Sequence, residues 1–314
     1  MFGKMMNSYY YGKSGKGDYR KEDLPKNRWQ LFWEMLRIRF AGLMRLNLMY
    51  AVAWLPVIIL SLFFAGILLA GPAAGEAGEA AALSPEELAG AFQGLFQLYL
   101  LLLIPAITIT GPFTAGVSYV TRNWARDEHA FVWSDFKDAV KANWKQALLV
   151  SFITSLMPVI QYFCWTVYAQ MAQSNPIFVV PQMLAAMLGV VWFLAVIFMY
   201  PLMVTYKLKL KDLLRNALLL SIGRLPQSVG LRLLSLVPFA IAIGIGYFAG
   251  VIQWVLLGVV LYYALIGFSF SRFVYASYTN AVFDKYINAR IEGAVVNKGL
   301  GQEEDDDEED DEEQ

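Results

Sequence analysis

Charge, cysteine and histidine are all scarce in this chain. Asp, Glu, Lys and Arg make up 16% of its 314 residues, against roughly a quarter in an ordinary soluble domain. With 58% hydrophobic residues, that shortage excludes a soluble globular fold and a disordered chain. The single cysteine, Cys164, cannot form an internal disulfide, and the single histidine, His129, leaves little from which to build a metal site. HExxH, glycine-rich phosphate loops and Cys/His clusters are all missing. No catalytic residue, cofactor or metal is therefore assigned, and the chain reads as a non-enzyme. His129, within RDEHAF, reads as a solvated loop residue.

What the chain has in abundance is long apolar runs. About 20 helical residues cross roughly 30 Å of hydrocarbon. Runs of about that length fall at 48–70, 92–117, 147–170 and 180–203. The stretch 233–277 is nearly uncharged and rises about 67 Å as a helix, twice one crossing. A tight turn near Gly250–Gln253 divides it into spans at 233–250 and 254–276. The expected fold is all-α, a polytopic six-helix membrane bundle over 28–290. A polar segment at 1–27 and an acidic tail at 291–314 flank it, both expected to be disordered. No apolar signal core lies near the start, so no cleaved signal peptide is expected.

Orientation follows from the basic residues. The segments before span one, between spans two and three, between spans four and five, and after span six hold all 25 Lys and Arg, counting Arg272 near the end of span six. The alternate connections hold none. The positive-inside rule then puts both termini in the cytoplasm. None of the six spans carries an ionisable residue in its interior, with Arg272 the nearest. Because charge in hydrocarbon is costly and kept for function, this argues against a proton pump or an intramembrane protease.

A charged amphipathic stretch precedes each odd-numbered span. Trp29, Phe32, Trp33, Leu36 and Phe40 recur at helical spacing in the first. In the second, Ser134 is placed to cap a helix striped by Phe136, Val140 and Trp144. Leu210, Leu213, Leu214 and Ala217 mark the third. Prolines follow in similar contexts, WLPVI at Pro56, LMPVI at Pro158 and LVPFA at Pro238. The pattern suggests three hairpin repeats, each led by a cytoplasmic helix that offers a platform to a partner or to anionic lipid. The plainer reading makes these stretches interfacial anchors or extended ends of the spans.

The intramembrane polar residues are neutral. Ser151, Thr154, Ser155, Gln161 and Trp165 share one face of span three, and Gln97 and Thr108 share one face of span two. Such a stripe suits either a path for a neutral solute such as a sugar or interhelical hydrogen bonding. Between spans one and two, a Gly/Ala/Glu-rich outer loop ends in Ser84-Pro85-Glu86-Glu87, a capping box with a first-turn proline. At the other extreme of the chain, 303–313 are eleven consecutive acids, a run that repels itself.

Gly111–Phe152 resembles the signature region of the YesL-like membrane proteins, a bacterial family of unknown function. Pro112, Thr114 and Gly116 at the end of a span carry the likeness, followed by Arg122, then Phe136 and Lys137 on a helix, then Asn143 before the next span. Asn47 at the start of span one fits as well. The resemblance implies a multi-pass plasma-membrane protein of a Gram-positive-type bacterium, linked to carbohydrate-uptake genes, with no established activity. The leading expectation is a non-enzymatic accessory or regulatory component of solute uptake, contacting membrane lipid and a transporter subunit on its cytoplasmic face. A permease using the polar stripe and a structural membrane-organising protein are the alternatives. No nucleic-acid partner is expected, and the oligomeric state is open.

Overall fold

The computed structural model describes residues 24–70 and 84–301. The expectations for most of the polar N-terminal segment, for most of the outer loop and for the acidic run lie outside the described residues.

Among the described residues eight α-helices carry the fold: α1 (Arg28–Ala70), α2 (Pro85–Trp124), α3 (Val132–Ser174), α4 (Val179–Thr205), α5 (Leu210–Gly223), α6 (Leu225–Ala249), α7 (Ile252–Tyr262) and α8 (Phe268–Tyr286). A π-turn, Tyr263–Gly267, joins α7 to α8 within one span. Six segments among the described residues are long and apolar enough to cross a membrane, which makes this an all-α multi-pass bundle. The start of α2 shows the capping box read from sequence, with the Glu87 amide donating to the Ser84 hydroxyl and the Ser84 amide to the Glu87 carboxylate. Gly250 breaks the chain between α6 and α7 in a left-handed conformation (φ 65°) that suits glycine.

The amphipathic stretches follow the plainer of their two readings, and one expected cap moves. The first two amphipathic stretches are not separate helices but continue into the spans, so α1 and α3 each run 43 residues, about 65 Å. Only the third stands alone, as α5. Nor does Ser134 cap α3, which begins at Val132. The Asp135 carboxylate instead accepts from the Phe131 amide at 2.8 Å.

Packing concentrates at one end, where the basic connections meet. One cluster joins Leu31, Leu43 and Leu46 of α1 to Val120 and Trp124 of α2, Phe136 of α3 and Phe273 of α8. A second joins Phe198 and Leu202 of α4 to Leu213 of α5 and Phe283 of α8. Towards the far end the helices splay: Phe63, Leu188, Ile241 and Phe248 are all exposed, as side chains facing lipid are. Close approaches use small residues. A Cβ on Gly116 would lie 2.7 Å from the Phe136 ring, and one on Gly189 would lie 2.6 Å from the Gln161 amide.

Asn47 links the first span to the last. The π-turn frees backbone groups that hydrocarbon cannot satisfy. Asn47 Nδ2 donates to the carbonyls of Tyr263 (2.8 Å) and Ala264 (2.7 Å), and its Oδ1 accepts from the Ser269 amide at 2.9 Å. Ser269 Oγ returns a bond to the Leu43 carbonyl at 2.8 Å. Replacing Asn47 with leucine, which keeps the volume and loses all three bonds, is expected to cost about 2 kcal/mol and to lower the thermal midpoint in detergent. Gly116→Val should destabilise comparably by displacing Phe136. An unchanged midpoint for Asn47→Leu would mean that the turn finds its partners elsewhere.

Candidate functional site

At the basic end a polar cavity of about 540 Å³ lies between the first turns of α3, the end of α2 and the connection from α4 to α5. Asp135, Asp138, Asn143 and Gln146 line it from α3, Tyr119 from α2, Thr205 from the end of α4, and Tyr206 and Lys207 from the connection. Asn143 bonds back to the Ala139 carbonyl (2.9 Å) and Gln146 Nε2 donates to the Leu208 carbonyl (3.1 Å), so both amides keep an oxygen free to accept. The last carbonyls of a helix, here α4, carry partial negative charge. The lining is therefore rich in acceptors, with Lys207 as its one cation. Phe131, just before α3, and Trp133 are 63% and 67% exposed and Trp144 is half-exposed; none of the three lines the cavity, and the two tryptophans fall on the face of α3 opposite Asp138, Ala142 and Gln146.

Tyr206 ties this cavity to the chain ends. Its hydroxyl donates to Asn288 Oδ1 at 2.6 Å, and Asn288 Nδ2 donates to Asp284 Oδ1 at 2.6 Å. Asp284 also pairs with Arg28 at the start of α1 and accepts from the Asn297 amide at 3.1 Å. Burial, reinforced by the Asp284 carboxylate, pushes the Tyr206 phenol up to about 12, against the pull of Arg122 and Arg126. It therefore stays a neutral donor at any cellular pH. Beyond α8 the chain doubles back. Arg126 donates to the Val295 carbonyl (3.4 Å), Lys298 pairs with Glu128 (3.0 Å), and the Gly301 amide donates to the Pro25 carbonyl (3.1 Å). This strap closes the basic end over both termini of the bundle.

The family-motif residues fall into five places. Asn47 holds the π-turn. Thr114 bonds the Tyr50 hydroxyl (2.7 Å), and Gly116 seats Phe136, so these three join α1, α2 and α3 near Pro112. Arg122 closes α2, bonding Asn123 Oδ1 (2.9 Å) and facing Glu128 (3.9 Å). Asn143 alone of the set lines the cavity, and Lys137 is exposed on the surface.

The polar stripe lies along helix contacts. Ser151 Oγ donates to the Thr108 carbonyl (2.6 Å), the Thr108 and Ser155 hydroxyls meet at 3.2 Å, Trp192 Nε1 donates to Thr154 (3.2 Å), and Gln161 Nε2 donates to the Ala185 carbonyl (2.9 Å). Trp165 is half-exposed and takes part through its carbonyl, which accepts from Gln182 at 3.4 Å. Gln97 is half-buried on α2 and joins none of these pairs.

Sequence reasoning missed the Asp284 hub, Tyr206 and Arg232, and it singled out Arg272 without its neighbour. The signal was there for Asp284, a lone acid just beyond the last apolar run. It was weaker for Arg232, which the boundary at 233 put outside span five, although it lies in the third turn of α6.

Asp127, in the left-handed region at φ 54°, has its carboxyl raised above the usual range by burial and by Glu34, with Arg39 opposing. A raised carboxyl disfavours the fold where it is ionised and stops doing so once protonated. Asp127→Asn, which tolerates the same backbone, is expected to be at least as stable as the parent at pH 7. Melting curves should show that advantage shrinking as the pH falls through the acid range. An advantage that grows on acidification would contradict the assignment.

No curated protein and no solved structure matches the chain. One family model does, that of a protein of unknown function, DUF624, over residues 91–165. The matched stretch runs from the start of α2 past the middle of α3 and supplies Tyr119, Asp135, Asp138, Asn143 and Gln146 of the cavity lining. Residues 91–165 are thus similar to the DUF624 family, in line with the YesL-like resemblance of the motifs between Gly111 and Phe152.

Proposed function

We propose that the protein is a non-enzymatic, accessory component of solute uptake in a bacterial plasma membrane, with its basic end in the cytoplasm and a transporter subunit docked there. The observation that carries this reading is the character of the basic end. The buried side chains gather there, and so do the acceptor-rich cavity, the exposed Trp133 and Trp144 of α3, and Phe131 just before that helix. Exposed tryptophans are the kind of anchors on which protein interfaces concentrate their energy. The stripe on α2 and α3 favours this reading over a permease, because its hydroxyls and the Gln161 amide are engaged between helices. The link to carbohydrate uptake comes from the family resemblance.

Affinity purification from native membranes in mild detergent, with mass spectrometry of co-purifying proteins, tests it. The full chain should bring down a transporter subunit in stoichiometric amount. Trp133→Ala with Trp144→Ala should lower the yield of that subunit at least about ten-fold, the effect of removing one interface hot spot. Recovery of the chain alone from membranes that contain the transporter would refute the docking reading.

A further inference from the structure

A second cavity, about 710 Å³, opens sideways between α1, α6 and α8. Phe32 and Trp33 of α1 form one wall, Leu234 and Val237 of α6 the other, and Phe270 and Val274 of α8 the floor. It exists because α6 leans on α7 and touches α4 and α5 at only a few points, which leaves α8 uncovered on that side. From Phe270 to Ala281 the floor runs about 17 Å along the helix axis, close to the depth of one leaflet.

The groove has a polarity along its length. The uncharged runs of spans five and six stop at Arg232 and Arg272, and the groove straddles that level. Val237, Pro238 and Phe270 lie on the apolar side. Arg28, Trp29 and Ser277 lie on the other, where indoles and hydroxyls sit at a membrane edge. The Ser277 hydroxyl is buried with no hydrogen-bond partner.

Charge then decides what the groove takes. Tyr275 lines the groove, and two guanidinium groups lie behind it. Arg232 donates to the Tyr275 hydroxyl at 3.1 Å and stacks on Phe193 at 3.9 Å. Arg272 lies over the rings of Tyr200 (5.4 Å) and Tyr275 (5.8 Å). Neither forms an ion pair among the described residues, whereas Arg28 at the mouth is neutralised by Asp284. Two unneutralised cations at the membrane edge, beside an apolar channel one leaflet deep, complement a molecule with a negative head and a long apolar tail. We propose that this groove binds one anionic glycerophospholipid, with an acyl chain between Val237 and Phe270 and the phosphate beside Ser277, held by the field of Arg232 and Arg272. The assignment is independent of the accessory reading and needs only that the chain spans a membrane.

Native mass spectrometry of the full chain in a neutral detergent provides the test, with dioleoyl phosphatidylglycerol or dioleoyl phosphatidylcholine as probe. One phosphatidylglycerol should be retained about ten-fold more tightly than phosphatidylcholine, the discrimination one charge-assisted contact supplies. Arg232→Gln, which keeps donors for Tyr275 and Phe193, should reduce that preference and leave phosphatidylcholine retention unchanged. Val274→Phe, which fills the floor, should abolish the retained lipid at an unaltered melting midpoint, and Ser271→Phe serves if Val274→Phe does not fold. Inorganic phosphate alone should not shift the midpoint. Equal retention of the two lipids, undiminished binding by a folded groove-filled variant, or a phosphate shift without lipid would each overturn the assignment. So would a lipid-free pair of chains that the filling variant dissociates, which would give the groove to a second copy.

Discussion

Hydrocarbon about 30 Å thick cannot contain helices about 65 Å long, and most of what distinguishes this protein follows from that mismatch. α1, α2 and α3 have far more length than a crossing needs, so their basic ends extend past the apolar windows. Outside lipid, apolar side chains gain by leaving water. The core accordingly forms where the helices extend, with Leu31, Trp124, Phe136 and Phe273 packed together. Within the apolar windows no such gain exists, and contact there rests on small residues and on hydrogen bonds between helices. The result is a bundle closed at one end and open at the other. Both cavities border the closed end, where side chains of several helices converge.

The membrane architecture was legible because it rests on composition and length alone. Six apolar runs, the capping box at Ser84 and the break at Gly250 are local features, and local sequence carries them. What could not be read is how distant polar residues pair. Gln161 and Ser151 could be placed on a helical face, but nothing local says that Gln161 reaches the Ala185 carbonyl or that Ser151 reaches Thr108. The amphipathic stretches fared in between. Their faces were visible, yet whether a stretch joins the next span depends on whether the chain breaks, as it does at Arg224 and not near Arg45. The candidate cavity was the least legible of all, since it is assembled from α2, α3 and a connection after α4.

The family resemblance and the geometry divide the labour between them. Most motif residues prove to be parts of the frame: Asn47, Thr114 and Gly116 hold α1, α2, α3 and α8 in register. A motif made mainly of frame residues preserves a shape, and the matched segment also carries a large share of the cavity wall. Lys137 is the exception, exposed and outside both the frame and the cavity.

The bond between Asn47 and the Tyr263 carbonyl joins residues 216 positions apart. At ordinary rates of synthesis, on the order of 10 to 40 s separate the emergence of the two. Throughout that interval the amide of Asn47 has entered the bilayer before the turn it will clasp exists. The first span must therefore wait, half-satisfied, at the side of the translocation machinery or against provisional neighbours. Assembly is completed by the final helix and the strap that returns to Pro25, so a chain cut short anywhere before Tyr263 is left with an orphaned amide. Such a truncated product carries its own mark for membrane quality control.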